Sequence, residues 1–182
     1  MVFFGECTEA RRLSQKPSDM EIKFRVPSRT IPDLHTKYAE IISQLGLVIP
    51  AIDANTSNRI RVVMNELVVN AMKYRSEQTI VYAKVSVYGD HLVIEVSNRV
   101  APPVKHVFIR YLMTLFASDL DKVYIKQIEH LVEDPDSYSS KIGLITVLRD
   151  CKVDLGYMVN DEVRGTRIVA LAYVSLKRKC HA

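Results

Sequence analysis

Between Met20 and Val26 the apolar residues Met20, Ile22, Phe24 and Val26 alternate with Glu21, Lys23 and Arg25, a period of two that predicts a half-buried strand. Beyond Pro27-Ser28 the spacing changes. Ile31, Leu34, Tyr38, Ile41, Ile42 and Leu45 recur at helical intervals, with Gly46 as the expected stop. A second helix is predicted from Ser57 or Asn58 to Arg75, with Ile60, Val63, Met64, Leu67, Val68, Ala71 and Met72 forming one apolar face. Two stretches rich in Val, Ile and Tyr follow, Thr79 to Val87 and Leu92 to Val96. They flank Tyr88-Gly89-Asp90-His91, the signature of a tight antiparallel hairpin. Helical spacing returns from Val104 to Ala117 and from Asp119 to Val132, with Asp119 placed to cap the second piece. Pro135 breaks the pattern, and a short apolar helix begins near Gly143 and runs to about Cys151. Two last strands, Val153 to Val159 and Thr166 to Val174, are joined by a polar turn from Asn160 to Gly165.

Strands and helices thus come in blocks rather than in strict alternation. This predicts an α+β fold: a two-layer α/β sandwich in which helices pack on one face of a mixed, mostly antiparallel sheet. Residues 1–18 carry mixed charge and a Lys16-Pro17-Ser18 break without clear periodicity, and read as an irregular N-terminal arm. Residues 19–176 form the expected single domain, and 177–182 a basic tail.

Composition narrows the function classes. The 25 basic and 21 acidic residues are scattered, and the one dense basic run, Lys177-Arg178-Lys179, reads as a solvated tail rather than a nucleic-acid site. Cys7, Cys151 and Cys180 are odd in number and lack metal-ligand spacing, which argues against a disulfide framework and a zinc site and for a reducing compartment. Arg11, Arg12 and Lys16 follow the short apolar start instead of preceding it, the reverse of a secretory signal, and no apolar run approaches the roughly 20 residues that cross a bilayer. A cytoplasmic location without membrane attachment is expected.

The candidate chemistry starts in Asn65-Glu66-Leu67-Val68-Val69-Asn70-Ala71-Met72-Lys73-Tyr74. Glu66 and Asn70 stand four apart on the second helix and so share a face; Lys73, three positions further, reaches the same side. A carboxylate and an amide oxygen are hard ligands of the kind Mg²⁺ prefers. Taken alone, the set also reads as the polar rim of an amphipathic helix. Two further features stand downstream: the strand end Glu95-Val96-Ser97-Asn98, and Ser139-Ser140-Lys141-Ile142-Gly143-Leu144 at the opening of a helix, followed by Arg164-Gly165-Thr166 before the last strand.

In this order, over roughly residues 60–173, the motifs resemble those of the histidine-kinase-type (GHKL) ATPases, whose Bergerat fold is a two-layer α/β sandwich. The resemblance implies that Asn70 holds a Mg²⁺ bridging the phosphates of ATP and that Glu66 orients or deprotonates the attacking group. It places Lys73 within reach of a phosphate. Asn98 stands where the family has an adenine-binding Asp, and its amide oxygen is able to accept the same hydrogen bond. Ser140, Lys141 and Gly143 fall in the phosphate loop, with Lys141 in place of the first glycine of a Gly-x-Gly-Leu pattern, and Thr166 fits the closing Gly-Thr. Arg99-Val100-Ala101 replaces a further glycine-rich turn.

Two helices without a glycine-rich lid between Asn98 and Gly143 look like the SiaB-type branch of bacterial anti-sigma-like serine/threonine kinases. That branch implies an ATP-dependent kinase in a partner switch, acting on a small antagonist-type regulatory protein. The alternative is a catalytically inactive ATPase-like module that binds and sequesters such a partner, with the missing glycines as its evidence. A homodimer is a further expectation of the resemblance. The segment from Val104 to Val132, with Tyr111, Phe116 and Tyr124, is the first candidate for a partner surface, although these residues also suit simple coverage of the sheet.

Overall fold

The computed structural model describes residues 1–5, 7–26, 31–49, 52–76, 79–133, 142–163 and 165–176, leaving aside the side chains of 31–36, 48, 131 and 142. The elements are β1 (Val2–Gly5), α1 (Thr8–Leu13), β2 (Met20–Arg25), α2 (Ile31–Val48), α3 (Ala54–Tyr74), β3 (Tyr82–Tyr88), β4 (His91–Val100), α4 (Pro102–Ala117), α5 (Leu120–Glu133), α6 (Ile142–Arg149), β5 (Asp154–Glu162) and β6 (Gly165–Ser175). The six strands form one sheet in the order β1-β5-β6-β4-β3-β2, and every pairing is antiparallel. The fold is α+β, as the block pattern predicts.

Each strand's apolar set faces the helices. Ile94 opposes Val85 on one side and Ala172 on the other, and these join Ile60, Met64 and Leu67 of α3 and Ile145 of α6 in the main core. Burying such side chains contributes about 1.5–3 kcal/mol each. The hairpin register is set by its two-residue turn: Tyr88 pairs with His91, and Gly89 takes a φ of +59°, open to glycine at little cost. Helix starts are held by side chains. Asp53 accepts from the Thr56 amide at 2.7 Å at the head of α3, and Asp119 accepts from Asp121 and Lys122 ahead of α5.

Three expectations are corrected. The N-terminal residues do not form an irregular arm: β1 pairs with β5 at the sheet edge, and α1 lays Cys7, Ala10 and Leu13 on Val93, Val169 and Leu171 across the sheet face opposite the other helices. Those contacts come from residues far along the chain, so the local pattern of four- and six-residue pieces carries no sign of them. The helix expected to stop at Gly46 continues to Val48, because a glycine in a helix costs about 1 kcal/mol without breaking it. The last hairpin is tighter than its polar residues suggest, with pairing out to Glu162 and Gly165. The basic tail at 177–182, with Cys180, lies outside the described residues; Cys7 and Cys151 are buried free thiols. Among the described residues no helix is long and apolar enough to cross a membrane.

Candidate functional site

α3 runs across the sheet with Leu67 and Ala71 buried against it, and this places Asn70 beside the end of β4. Asn70 and Asn98 line one cavity there, together with Tyr74, Phe108 of α4 and Tyr157 of β5. Two of the predicted site residues, 28 positions apart in the chain, are thus brought together by the packing of α3 on β4.

The cavity is small, about 20 Å³. That is room for one water and not for a purine. Aromatic rings take up the remainder: Phe108 meets Tyr157 edge to face at 5.3 Å between centroids and Tyr74 at 6.3 Å. Tyr157 is buried, and desolvation raises its phenol pKa. Asn98 is only 6% exposed, and its amide Nδ2 donates to the Ala71 carbonyl oxygen at 3.0 Å. The strand end is therefore tied to the last turn of α3, where carbonyls lack helical partners.

Glu66, one turn before Asn70, lies against α6. Its carboxylate contacts Gly143: a Cβ at position 143 would stand 2.6 Å from Glu66 Cδ and closer still to Oε2. Burial raises the Glu66 pKa above its ordinary 4.5, and a hydrogen bond from the Asn65 side chain opposes that shift. Tyr38 and Cys151 are close enough for the Glu66 charge to raise both, in each case behind a larger effect of burial.

The remaining predicted residues divide. The Lys73 ammonium lies 5.4 Å from the centre of the Tyr74 ring and does not line the cavity. Thr166 lies on the helix-facing side of the sheet, paired with Val100, but its hydroxyl donates to Asp161 Oδ1 at 2.7 Å and it does not line the cavity. Asp161 also takes the Lys105 ammonium at 2.7 Å, and these two partners, Lys105 first, lower its pKa. Ser140 and Lys141 lie outside the described residues. Tyr74, Phe108 and Tyr157 are the site residues the spacing did not single out, since an aromatic at a core position gives the same pattern whether or not it borders a cavity.

Beside Asn98 the described side chains leave room for about one water. Phe108 and Tyr157 fill the space beside Asn98, and the Glu66 carboxylate lies against Gly143, where the resemblance expects phosphate. Among the described residues no group of three or more His, Cys, Asp or Glu side chains is placed to hold a metal ion. No protein-family model matches the chain, and no curated protein matches it.

Proposed function

We propose that the chain is a cytoplasmic regulatory module of histidine-kinase-type ancestry, its nucleotide cleft packed shut, which binds and sequesters a small regulatory protein in a bacterial partner switch. One observation carries the closed cleft: Asn70 and Asn98 border a space of about 20 Å³ that Phe108, Tyr157 and Tyr74 otherwise fill. The partner-switch role rests on the resemblance of the ordered motifs around Glu66, Asn70, Asn98 and Gly143.

A second reading, an ATP-dependent serine/threonine kinase acting on the same class of partner, is favoured by the half-buried Glu66. Its raised pKa and its place one turn from Asn70 suit a general base.

Thermal melting with and without millimolar ATP and Mg²⁺ separates the two. A ligand that binds only the folded state raises its melting temperature, by about 2.7 kcal/mol of stability at a hundredfold excess over Kd. The closed module shows no magnesium-dependent rise. A rise, with label from γ-labelled ATP appearing on a serine or threonine of a protein partner, replaces the first reading with the second.

A further inference from the structure

α5 turns one side to the molecule and leaves another bare. Leu120, Val123 and Tyr124 pack on the main core, and Arg149 of α6 lies 3.6 Å over the Tyr124 ring. On the outer side Ile125, Ile128 and Val132, spaced by three and then four residues, form a stripe that is 57%, 38% and 75% exposed. Single exposed apolar residues are ordinary; three in one helical line are the pattern of a helix that packs against something.

Beside this stripe, on its solvent-facing flank, runs a second line made of Lys122, Lys126, Glu129 and Glu133, all exposed. Its order along the helix is basic, basic, acidic, acidic. In a parallel copy of α5 laid on the stripe the two charged lines would lie on opposite sides of the seam and would not meet. An antiparallel copy related by a two-fold axis sets Lys122 against the second copy's Glu133 and Lys126 against its Glu129. Both pairings put the axis at the same point, between positions 127 and 128. Flanking residues on the same side of the seam face each other only in antiparallel pairs, and all four charges lie on one side. Ile128 lies next to that axis, so the two copies of Ile128 meet there, and Ile125 comes near the copy's Val132, two positions (about 3 Å) from direct opposition. A two-fold contact requires a self-complementary patch, and the charge line of this one is self-complementary.

We infer that the outer face of α5 is a homodimer interface, closed by an antiparallel α5–α5′ pair with Ile128 at its centre. Tyr111, Phe116 and Tyr124, the aromatics that suggested a partner surface in this region, instead pack against the main core. The Lys122–Asp119 contact within one chain, at 3.7 Å and highly exposed, is weak and gives way readily to the Glu133 pairing. The inference does not depend on whether the cleft beside Asn98 binds nucleotide.

Sedimentation velocity on the full chain from micromolar to near-millimolar concentration, with far-UV circular dichroism on every variant to establish folding, tests it. The wild type shifts from monomer to dimer, more weakly at high salt. Ile128→Glu, which places a charge next to the axis in both copies, weakens dimerisation at least about 30-fold. The K122E/K126E and E129K/E133K chains are each monomeric alone and form a one-to-one heterodimer when mixed. The chain carrying all four exchanges regains the homodimer. A wild type that stays monomeric throughout overturns the inference. So do charge variants that self-associate as tightly as the wild type, or a mixture of the two that fails to pair.

Discussion

The Glu66 carboxylate occupies the space that a side chain at position 143 would need. Two residues on different helices, 77 positions apart, are thereby coupled sterically, and a double-mutant cycle reads the coupling directly. With Glu66 truncated to Ala, Gly143→Ala places a better helix former in the first turn of α6 and stabilises the fold by up to about 1 kcal/mol. With Glu66 intact, the new methyl group must displace the carboxylate and the gain shrinks or reverses. Chemical denaturation of the four proteins should give a coupling of about 1 kcal/mol; additivity within about 0.3 kcal/mol would deny the contact.

The same burial gives Glu66 a pH signature. Its folded pKa lies above 4.5, the ordinary value that the unfolded chain approaches. The folded state therefore binds the proton more tightly, and the contribution of Glu66 to stability is fully present below about 4.5 and lost as pH rises through the folded value. Glu66→Gln removes that loss. Its stability relative to the wild type should increase as pH climbs through the range above 4.5 and then level off. Tyr38 and Cys151, which also face the Glu66 charge, have pKa values raised above their ordinary 10.0 and 9.0 and do not titrate in that range. Paired denaturation curves from pH 4 to 8 check the trend, and a flat difference would place Glu66 in solvent.

Much of this arrangement is legible in the sequence where periodicity is long. α3, the β3–β4 hairpin and the last two strands follow from Ile60 to Met72, Tyr88 to His91 and Thr166 to Val174, because a helical stripe or a strand run repeats many times within each. β1 and α1 escape because their four and six residues hold no more than two periods; what orders them is the pairing of Val2 with Val159 and of Gly5 with Gly156, and the packing of Ala10 and Leu13 on Val169 and Leu171, made across the whole chain. The site shows the same divide. Asn70 and Asn98 are visible as polar residues at the edge of apolar runs, and both reach the cavity. That Asn98 bonds to a main-chain carbonyl of α3, and that Phe108 fills the space beside it, depends on how α3 and α4 lie on the sheet, which local pattern does not encode.

The Asn98 amide donates to Ala71 O, and an aspartate cannot do so while ionised. Asn98→Asp, which restores the residue the resemblance expects for adenine binding, should therefore destabilise the fold at neutral pH by about 1–3 kcal/mol through a buried acceptor facing an acceptor. The loss should be recovered on acidification, since a protonated carboxyl donates where the amide did. The introduced group thus carries a pKa above the usual Asp value of about 3.9, and the variant's deficit grows as pH rises through it. Urea unfolding of variant and wild type at pH 4 and 7 measures this. An unchanged stability at pH 7 would mean that Asn98 does not hold α3 to β4.

Phe108 gives the sharpest test of the closed cleft, because its ring stands between Tyr74 and Tyr157 at the wall shared with Asn70 and Asn98. Phe108→Ala should cost about 1–3 kcal/mol, less than emptying a fully buried aromatic site because the ring is only partly buried. The space released adjoins two carboxamides, so it differs from an apolar void in having hydrogen-bonding groups on its wall. A flat heteroaromatic ring would recover the buried apolar contact and find donors and acceptors at its edge. Adenine at millimolar concentration should therefore raise the melting temperature of the Phe108→Ala chain and leave the wild type unchanged. A rise in both would show that the wild-type cleft already opens to a base. A rise in neither would show that the Asn70–Asn98 wall does not recognise a base even when room is made, and the closed cleft would then be ordinary core packing with no ligand role.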